Sequence, residues 1–433
     1  MKAVIANRIY IEYDEALMVK IRERFTHKIP PRVRGGEPEI IQTYNKISNK
    51  VVSIPSGAID FIPKEYEIID KRVAPEAWWP DHEITLRPSQ QEVCDAVDEC
   101  CMVNAKVSWG KTFTALAIGA KLGMKTLVVV HTGALRDQWI VEAQKIFGET
   151  PGVIGNGHCD YSKWLTIGTV QTVSKMVDQI KEEFGLVIVD EMHHISANTF
   201  KLILDKLSAR YKIGLSGTLI RKDGKHIMFE DYLGKIKFIP PGENSMEPEV
   251  IRMFPDVWFD ASLDNNANCY ALQVSALSRH PEFVKCVTES AVAMASQGHS
   301  VLVVSERLEL LEKAHELTKD FSVLVTSKTK RFWKERFDEI MTGEKKILWG
   351  SLNIFSEGIS VNRLSCLVLA CQINNEPLLE QLVGRVTRLY PDKLTPIIID
   401  IVLRGNTVRG GIRTRLGHYI NKGYKVTDAQ KSY

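Results

Sequence analysis

Two short segments decide how this sequence is interpreted: Ala105-Lys-Val-Ser-Trp-Gly-Lys-Thr112 and, about eighty residues later, Val187-Ile-Val-Asp-Glu-Met-His-His194. The first segment ends in the Gly-Lys-Thr of a phosphate-binding loop. The second is an apolar strand that carries two adjacent carboxylates at its C-terminal end. Each pattern is weak alone, but their order and spacing together predict a nucleoside triphosphate site that also holds a magnesium ion.

The residue types define the chemistry of this predicted site. A loop between a strand and a helix presents backbone N–H groups and the positive end of the helix dipole to an anion. Lys111 is expected to reach the β- and γ-phosphates, and Thr112 to place its hydroxyl on Mg²⁺. Asp190 is expected to hold the same ion, and Glu191 to orient and deprotonate the attacking water. The other loop residues expected to contact the nucleotide are Val107, Ser108, Trp109 and Gly110.

The loop departs from the usual G-x-x-x-x-G-K-[ST] pattern at two positions. Ala105 stands where the first glycine is common, and the bulky Trp109 stands where a small residue is common. Alanine adopts a positive φ less readily than glycine does. We interpret the segment as a variant loop that still binds nucleotide, with the two departures bearing on the rate of hydrolysis.

Length and composition exclude several classes of protein. The 433 residues suggest about three domains, and the 44% of hydrophobic residues suffice for a full core. Since no run of eighteen apolar residues occurs and the N-terminal apolar stretch is short, we expect neither a membrane span nor a signal peptide. The eight cysteines lack C-x-x-C and metal-ligand spacing. This is typical of a reduced, cytoplasmic protein.

Charge is clustered although the net charge is only +3. Six basic residues and one acidic residue lie between Lys20 and Arg34, and seven basic residues follow Ile401 against Asp428 alone. Such clusters suit a phosphate backbone, but a solvated basic face explains either cluster equally well. The candidate nucleic-acid contacts in the first cluster are Arg22, Arg32 and Arg34.

The chain is predicted to contain a small α+β module followed by two α/β lobes. Residues 1–85 begin with a strand at Ala3–Tyr13 and a helix at Asp14–His27. Apolar strands joined by helices then predict a buried parallel sheet in residues 86–245 and another in residues 246–433, with a connector at about 241–270. The predicted strands are Met102–Val107, Thr126–His131, Leu165–Thr169, Leu186–Asp190 and Lys212–Leu215, then Val301–Ser305, Ser322–Val325, Lys346–Gly350, Cys366–Ala370 and Ile397–Val402.

Polar side chains follow several of these strands. Thr132 and Gln138 follow the second strand of the first lobe, and Thr169 and Gln171 follow its third. Such groups can hold a sugar-phosphate backbone without reading bases, although ordinary helix N-caps explain the threonines equally well. In the second lobe, Ser305 is the residue expected to hold the sugar-phosphate backbone in the same way. Upstream of the phosphate loop, the amide of Gln90 can bond the adenine edge and Arg87 can stack on the base.

The second lobe supplies two further segments. Gly358 lies in Ser356-Glu-Gly-Ile-Ser360, after a strand, and is a candidate nucleotide contact. Gln381-Leu-Val-Gly-Arg-Val-Thr-Arg388 is predicted to lie on one helix, so that Arg385 and Arg388 share a face. Two arginines on one face can act as arginine fingers at the phosphates of a site in the other lobe.

This ordered set of motifs resembles the superfamily 2 helicases and translocases over roughly residues 86–425. Two segments resemble the XPB branch of that superfamily: Asp190-Glu-Met-His-His-Ile-Ser-Ala-Asn-Thr-Phe200 and Ala209-Arg-Tyr-Lys-Ile-Gly-Leu-Ser-Gly-Thr-Leu-Ile-Arg-Lys-Asp-Gly224. The compact size and the single small N-terminal module are similar to the phage enzymes of the UvsW type, which are DNA helicases that remodel branched DNA during replication and recombination.

The resemblance implies RecA-like folds for both lobes, ATP and Mg²⁺ as cofactors, and 3′–5′ movement on single-stranded and branched DNA with little sequence specificity. We expect a monomer, in the host cytoplasm if a phage encodes it. The resemblance also implies that Gln381, Arg385 and Arg388 complete the ATP site. The residues that it implies couple this site to nucleic acid are His194, Ser216, Gly217 and Thr218.

Three alternatives to a branched-DNA helicase stay open. The first is a duplex-DNA translocase or annealing motor that separates no strands. The second is an RNA helicase, which the D-E-x-H form allows. The third, prompted by Ala105, is a nucleic-acid clamp that binds ATP without hydrolysing it.

Overall fold

A computed structural model of the chain describes residues 1–31, 37–105, 109–217, 224–239, 245–259, 269–356 and 361–429. The chain forms two compact units, Met1–Gly242 and Glu243–Tyr433. Among the described residues, no helix is both long and apolar enough to cross a bilayer. Six residues of the predicted sites lie outside the described part of the chain: Arg32, Arg34, Val107, Ser108, Thr218 and Gly358.

The first unit opens with a small mixed α/β module. Its five-stranded sheet has the order β5-β6-β2-β1-β7, and β3 pairs with β4 in a separate two-stranded sheet. The predicted strand Ala3–Tyr13 is wrong as one element, because the chain reverses at Ala6 and Asn7 and the two halves pair antiparallel. The elements are β1 Lys2–Ile5, β2 Arg8–Glu12, α1 Glu15–Arg24, β3 Thr26–Ile29, β4 Glu39–Gln42, β5 Asn45–Lys46, β6 Val51–Pro55 and β7 Glu67–Asp70.

The rest of the first unit is an eight-stranded sheet of the order β11-β10-β12-β9-β13-β14-β8-β15. All its pairs are parallel except β10 with β11, as the continuous apolar strands predict. Its elements are α2 Pro88–Asp95, β8 Cys101–Asn104, α3 Lys111–Leu122, β9 Thr126–Val130, α4 Gly133–Phe147, β10 Gly152–Gly155, β11 His158–Cys159, β12 Leu165–Thr169, α5 Val170–Ile180, β13 Leu186–Asp190, α6 Ala197–Lys206, β14 Tyr211–Ser216, α7 Phe229–Leu233 and β15 Ile236–Phe238.

The second unit is a seven-stranded, fully parallel sheet of the order β18-β19-β17-β20-β21-β16-β22. Its elements are β16 Glu249–Met253, α8 Cys269–Leu277, α9 Pro281–Ser296, β17 Val301–Ser305, α10 Leu308–Leu317, β18 Ser322–Val325, α11 Trp333–Thr342, β19 Ile347–Ser351, α12 Leu352–Ser356, β20 Cys366–Leu369, α13 Glu376–Val386, β21 Ile397–Ile401, α14 Arg409–Asn421 and β22 Lys425–Asp428.

The fold class predicted from the sequence is confirmed: two parallel-sheet lobes follow a small mixed module. The predicted connector at 241–270 is wrong in one respect, because it contains β16, which pairs with both β21 and β22 inside the second sheet. In its sequence Glu-Val-Ile-Arg-Met, Glu249 and Arg252 interrupt the apolar residues, so the continuous apolar run that indicates a buried strand is missing.

Candidate nucleotide-binding site

Lys111 is the first residue of α3, which follows β8 and the phosphate loop. Gly110 precedes it with φ +98° and ψ +36°, a left-handed conformation that favours glycine. A Cβ at Gly110 would lie 2.5 Å from Gln90 Nε2, so a larger residue here would displace the Gln90 amide. Among the described residues no side chain caps this helix, so its first backbone N–H groups suit an anion.

The two carboxylates lie at the end of β13, between β9 and β14 in the sheet. Asp190 is buried and accepts hydrogen bonds from Trp139 Nε1 at 2.8 Å and from the Glu191 backbone N–H at 2.9 Å. Glu191 has φ +44° and ψ +48°, which is uncommon for a residue with a side chain. Such a conformation is a strain often found at functional positions.

The lysine and the second carboxylate form an ion pair. Lys111 Nζ lies 2.9 Å from Glu191 Oε1 and donates a hydrogen bond to the Ala105 carbonyl oxygen at 3.2 Å. Burial alone would raise the pKa of Glu191, but Lys111, with nearby His193 and His194, lowers it. Burial and the adjacent Glu191 charge raise the pKa of Asp190. Glu191 is thus held as an anion at neutral pH.

Gln90 and Arg87 both hold the carbonyl oxygen of Trp109. Gln90 Nε2 donates to this oxygen at 2.9 Å, Arg87 Nη2 also donates to it, and Gln90 Oε1 accepts from the Arg87 backbone N–H at 3.0 Å. The Trp109 indole is buried in the core and donates to Ser89 Oγ at 3.1 Å. The large side chain at this loop position therefore points into the core and anchors the loop to α2.

The donor set fits ATP and Mg²⁺. The uncapped N-terminus of α3 and the Lys111 ammonium suit a polyphosphate, and Thr112 lies in the same first helical turn. Asp190 offers the oxygen ligands that Mg²⁺ prefers, and Mg²⁺ commonly binds through one or two carboxylates plus phosphates. Arg87 Nη1 is buried and makes no hydrogen bond with the described residues, so a donor remains for a ligand.

A histidine links Glu191 to the adjacent strand β14. His193 Nδ1 lies 2.7 Å from Ser216 Oγ and 3.4 Å from Glu191 Oε2. The Gly217 backbone N–H also points to Glu191 Oε2, at 3.5 Å. Ser216 and Gly217 thus lie close to Glu191, and their expected role in coupling this site to nucleic acid stays a prediction. The ring of His194, the histidine singled out from the sequence, stacks on that of His131 and is tilted against that of His193, and its coupling role stays a prediction.

Three candidate nucleic-acid contacts of the first unit, Thr132, Thr169 and Gln171, lie at the C-terminal edge of its sheet. Thr132 caps α4 by accepting from the Leu135 N–H, and Thr169 Oγ1 lies 3.2 Å from Thr172 Oγ1, so each threonine also has a local structural role. Gln171 is exposed and donates to the His131 carbonyl oxygen at 3.3 Å. Gln138 is half-buried on α4, and Arg22 is exposed on α1 of the N-terminal module.

Two predicted site residues of the second unit, Ser305 and Arg388, have surroundings that the sequence did not predict. Ser305 is buried at the end of β17, where its Oγ accepts the Arg307 N–H. The predicted helix through Arg388 is wrong, because α13 ends at Val386 and Thr387 caps it. Arg388 instead forms an isolated antiparallel bridge with Ser245, so the one-face relation to Arg385 does not hold.

The two arginines differ in environment as well as in backbone conformation. Arg385 is buried and donates from Nε to the Phe355 carbonyl oxygen at 3.2 Å. Arg388 is half-buried and donates from Nη1 to Asn362 Oδ1 at 3.3 Å. Gln381 lies on α13, partly buried. Their role in completing the ATP site stays a prediction.

Sequence reasoning missed three residues that the fold brings to the site: Trp139, His193 and His131. The signal for His193 was available, because it is the fourth residue of the D-E-x-H pattern. No local signal marks Trp139, which reaches Asp190 from a helix fifty-one positions earlier in the chain. In the sequence, His131 has no distinguishing signal beyond its place at the end of the predicted strand Thr126–His131.

Comparison with known proteins identifies the family. Residues 83–221 match the family model described as "Type III restriction enzyme, res subunit". The chain is 36% identical to "Probable helicase D10" of Escherichia phage T5, over 98% of this chain and 96% of that protein. The chain belongs to the superfamily 2 helicases. Membership of this family implies ATPase activity with ATP and Mg²⁺, and binding of nucleic acid.

The chain is also similar to two further proteins. The DNA 3'-5' translocase XPB2 of Sulfurisphaera tokodaii is 30% identical over 182 residues, which are 41% of this chain and 41% of that protein. The crystal structure of T4 UvsW matches over 99% of this chain and 99% of that chain, with 20% identity and a TM-score of 0.43.

Proposed function

We propose that this superfamily 2 helicase is an ATP-dependent DNA motor that moves 3′–5′ and unwinds or remodels branched DNA in replication, recombination or repair. The observation that carries the proposal is the convergence of Lys111, Asp190 and Glu191 at the end of one parallel sheet. The name of the XPB2 relative, a DNA 3'-5' translocase, supports the proposed DNA substrate and the proposed 3′–5′ direction.

The chain's own residues account for the proposed hydrolysis. Bound Mg²⁺–ATP supplies an activated γ-phosphoryl group, whose oxygens carry the charge that the site must stabilise. Lys111 and the N-terminal N–H groups of α3 provide positive charge for the phosphates, and Thr112 and Asp190 are the proposed metal ligands. Glu191 accepts the proton of the attacking water, a role that suits a carboxylate held ionised beside a lysine.

DNA binding is proposed for the sheet edge that carries Thr132, Thr169 and Gln171, and for the basic helix α1 of the N-terminal module. Hydroxyl and amide groups hold phosphates and sugars and read little base sequence. We expect weak sequence preference and an affinity that falls steeply with salt. In the second unit, Gln381, Arg385 and Arg388 are proposed to contribute to hydrolysis.

The test is steady-state ATP hydrolysis across single-stranded, duplex, forked and four-way-junction DNA, with single-stranded RNA as a further activator. The proposal predicts the largest stimulation by forked or junction DNA, and strand separation in a fluorescence unwinding assay. Greater stimulation by RNA would favour an RNA helicase. Displacement of a triplex strand without unwinding would favour a duplex translocase, and absence of turnover would favour an ATP-binding clamp.

A further inference from the structure

Three histidine rings lie in a row beside Glu191, the proposed general base; one neighbouring pair is stacked and the other is tilted, and the row is called the stack below. The ring centroids of His131 and His194 lie 4.6 Å apart with 26° between the planes. Those of His194 and His193 lie 4.0 Å apart with 41° between the planes. The rings come from two different parts of the chain, the segment after β9 and the 3₁₀ turn after β13.

One end of the stack belongs to the edge of the sheet proposed to hold DNA. His131 lies between β9 and the α4 cap residue Thr132. Its carbonyl oxygen accepts the Nε2–H of Gln171 at 3.3 Å. Two proposed strand contacts are thus attached to the backbone of one residue, so a shift of either contact on DNA binding moves His131.

The other end of the stack lies next to Glu191, the proposed general base. His193 Nδ1 lies 2.7 Å from Ser216 Oγ and 3.4 Å from Glu191 Oε2. A displacement of the His193 ring therefore changes the position of the carboxylate that activates water. Glu191 is also paired with Lys111 at 2.9 Å, so a movement of the Glu191 carboxylate changes this ion pair as well.

The described contact of the His131 ring is made by its face, which packs against the ring of His194. Both of its nitrogens are buried, and neither makes a hydrogen bond with any described residue. Burial lowers the pKa of His131 to about 4, and the neighbouring His194 acts in the same direction, so the ring is uncharged at neutral pH. Within the described part of the chain, the identified interaction of this uncharged ring is its stacking on His194.

We propose that His131 is a positioning residue, which transmits DNA occupancy at the sheet edge to Glu191 through the rings of His194 and His193. This inference rests on the proposed DNA-dependent ATPase. It assigns to the chain a route by which the strand site and the hydrolytic site influence one another within the first unit. A coupling of this kind is a free energy that can be measured at both sites.

The test compares the ratio of DNA-stimulated to basal kcat in four full-length proteins. His131→Ala removes the ring and is expected to lower the ratio about tenfold, which lies within the usual range for coupling between two sites. His131→Phe keeps a stacking ring and is expected to stay within about twofold of the wild type. His158→Ala, an exposed histidine of the same sheet, serves as the matched control and should leave the ratio unchanged.

A double-mutant cycle separates the stack from independent effects. If His131 acts through His194, the double variant His131→Ala/His194→Ala should have the same ratio as the more impaired single variant, because one interaction is removed only once. Multiplied losses would mean that the two rings act separately and would overturn the proposal. Melting curves of each variant confirm that the measured protein is folded.

The remaining outcomes are distinct. A wild type that DNA does not stimulate would remove the proposed function and this inference together. A stimulated wild type whose ratio survives His131→Ala would overturn this inference alone. Loss of the ratio in His131→Phe as well as in His131→Ala, with unchanged melting, would show that ring stacking is not what the position supplies and would likewise overturn it.

Discussion

Lys111 and Glu191 form an ion pair at the end of the first parallel sheet, with 2.9 Å between Nζ and Oε1. The phosphate-binding cation and the water-activating anion of the proposed reaction are thus mutual partners in this structure. The pair lowers the pKa of Glu191 and keeps the carboxylate in the form that a general base requires. When Lys111 binds phosphate, this partner is lost to Glu191, so the two roles are linked through one contact.

Glu191→Gln separates nucleotide binding from turnover. The amide keeps the size of the side chain but cannot take a proton, so kcat is expected to fall by roughly 10²–10⁴-fold, the usual contribution of a general base. Binding of a fluorescent ATP analogue should be retained, because the proposed phosphate and metal ligands remain. A comparable loss of binding and turnover would contradict the assignment of Glu191 as the base.

Trp139→Phe tests the hydrogen bond that orients Asp190. The variant removes the indole N–H at 2.8 Å from Asp190 Oδ2, and hydrogen bonds to charged groups contribute about 2 kcal/mol. We expect a lower free energy of unfolding and a higher Mg²⁺ concentration for half-maximal ATPase activity.

Trp164→Phe is the matched control for this effect. Trp164 is buried in the same core, and its indole N–H makes no hydrogen bond with the described residues. The two substitutions remove the same atoms, so only Trp139→Phe should change the Mg²⁺ requirement. An equal change in both variants would assign the effect to lost packing.

Asp231→Ala tests whether the N-terminal module is anchored on the first lobe. The buried Asp231 carboxylate of α7 accepts from Arg24 Nη1 at 2.7 Å and Thr43 Oγ1 at 2.6 Å, and lies 2.7 Å from His27 Nε2. Removing one partner of a buried ionic cluster leaves the others unsatisfied, and we expect a loss of about 3 kcal/mol in urea denaturation.

The control for Asp231 is Asp178→Ala, which removes an exposed carboxylate paired with Lys206. A surface substitution of this kind should change stability by no more than about 0.5 kcal/mol. Similar unfolding curves for Asp231→Ala and the wild type would indicate that the module contributes to the lobe through its apolar contacts alone.

The burial of Lys212 leads us to predict that the free energy of unfolding rises with pH. Its ammonium is fully buried, donating to Ser56 Oγ and to the carbonyl oxygens of Leu204 and Asn7. Burial lowers its pKa from 10.5 to about 8. Between these values the unfolded chain binds more protons than the native protein, so stability rises with pH.

The contribution of Lys212 between pH 8 and pH 10 is about 2 kcal/mol. Lys212→Met cannot lose a proton, and the difference in unfolding free energy between wild type and variant should therefore increase by that amount over the interval. Urea titrations at both pH values measure it. Parallel stability curves for the two proteins would show that the native lysine stays protonated throughout.

The sequence predicted best what depends on local patterns. Leu165–Thr169, Leu186–Asp190 and Val301–Ser305 form strands with the predicted bounds. The last two begin with four consecutive apolar residues, which are typical of buried parallel strands. The C-terminal ends of parallel strands lie at one edge of a sheet. This rule was sufficient to predict that Lys111 lies close to Asp190 and Glu191.

What the sequence could not predict depends on contacts between distant segments. Arg388 leaves its helix because the backbone pairs with Ser245, about 140 positions earlier in the chain. The indole of Trp139 and the ring of His131 reach the site from neighbouring strands and helices, with no motif of their own. Asp231 likewise shows its function only when α1, β3 and the segment around Thr43 have assembled on it.

The most direct test of the account is steady-state ATP hydrolysis by the full-length protein with and without forked DNA, beside Lys111→Ala. We predict Mg²⁺-dependent turnover that DNA stimulates in the wild type and that Lys111→Ala abolishes. Turnover that persists in Lys111→Ala, or a wild-type rate that DNA leaves unchanged, would contradict the proposal that this site drives a DNA motor.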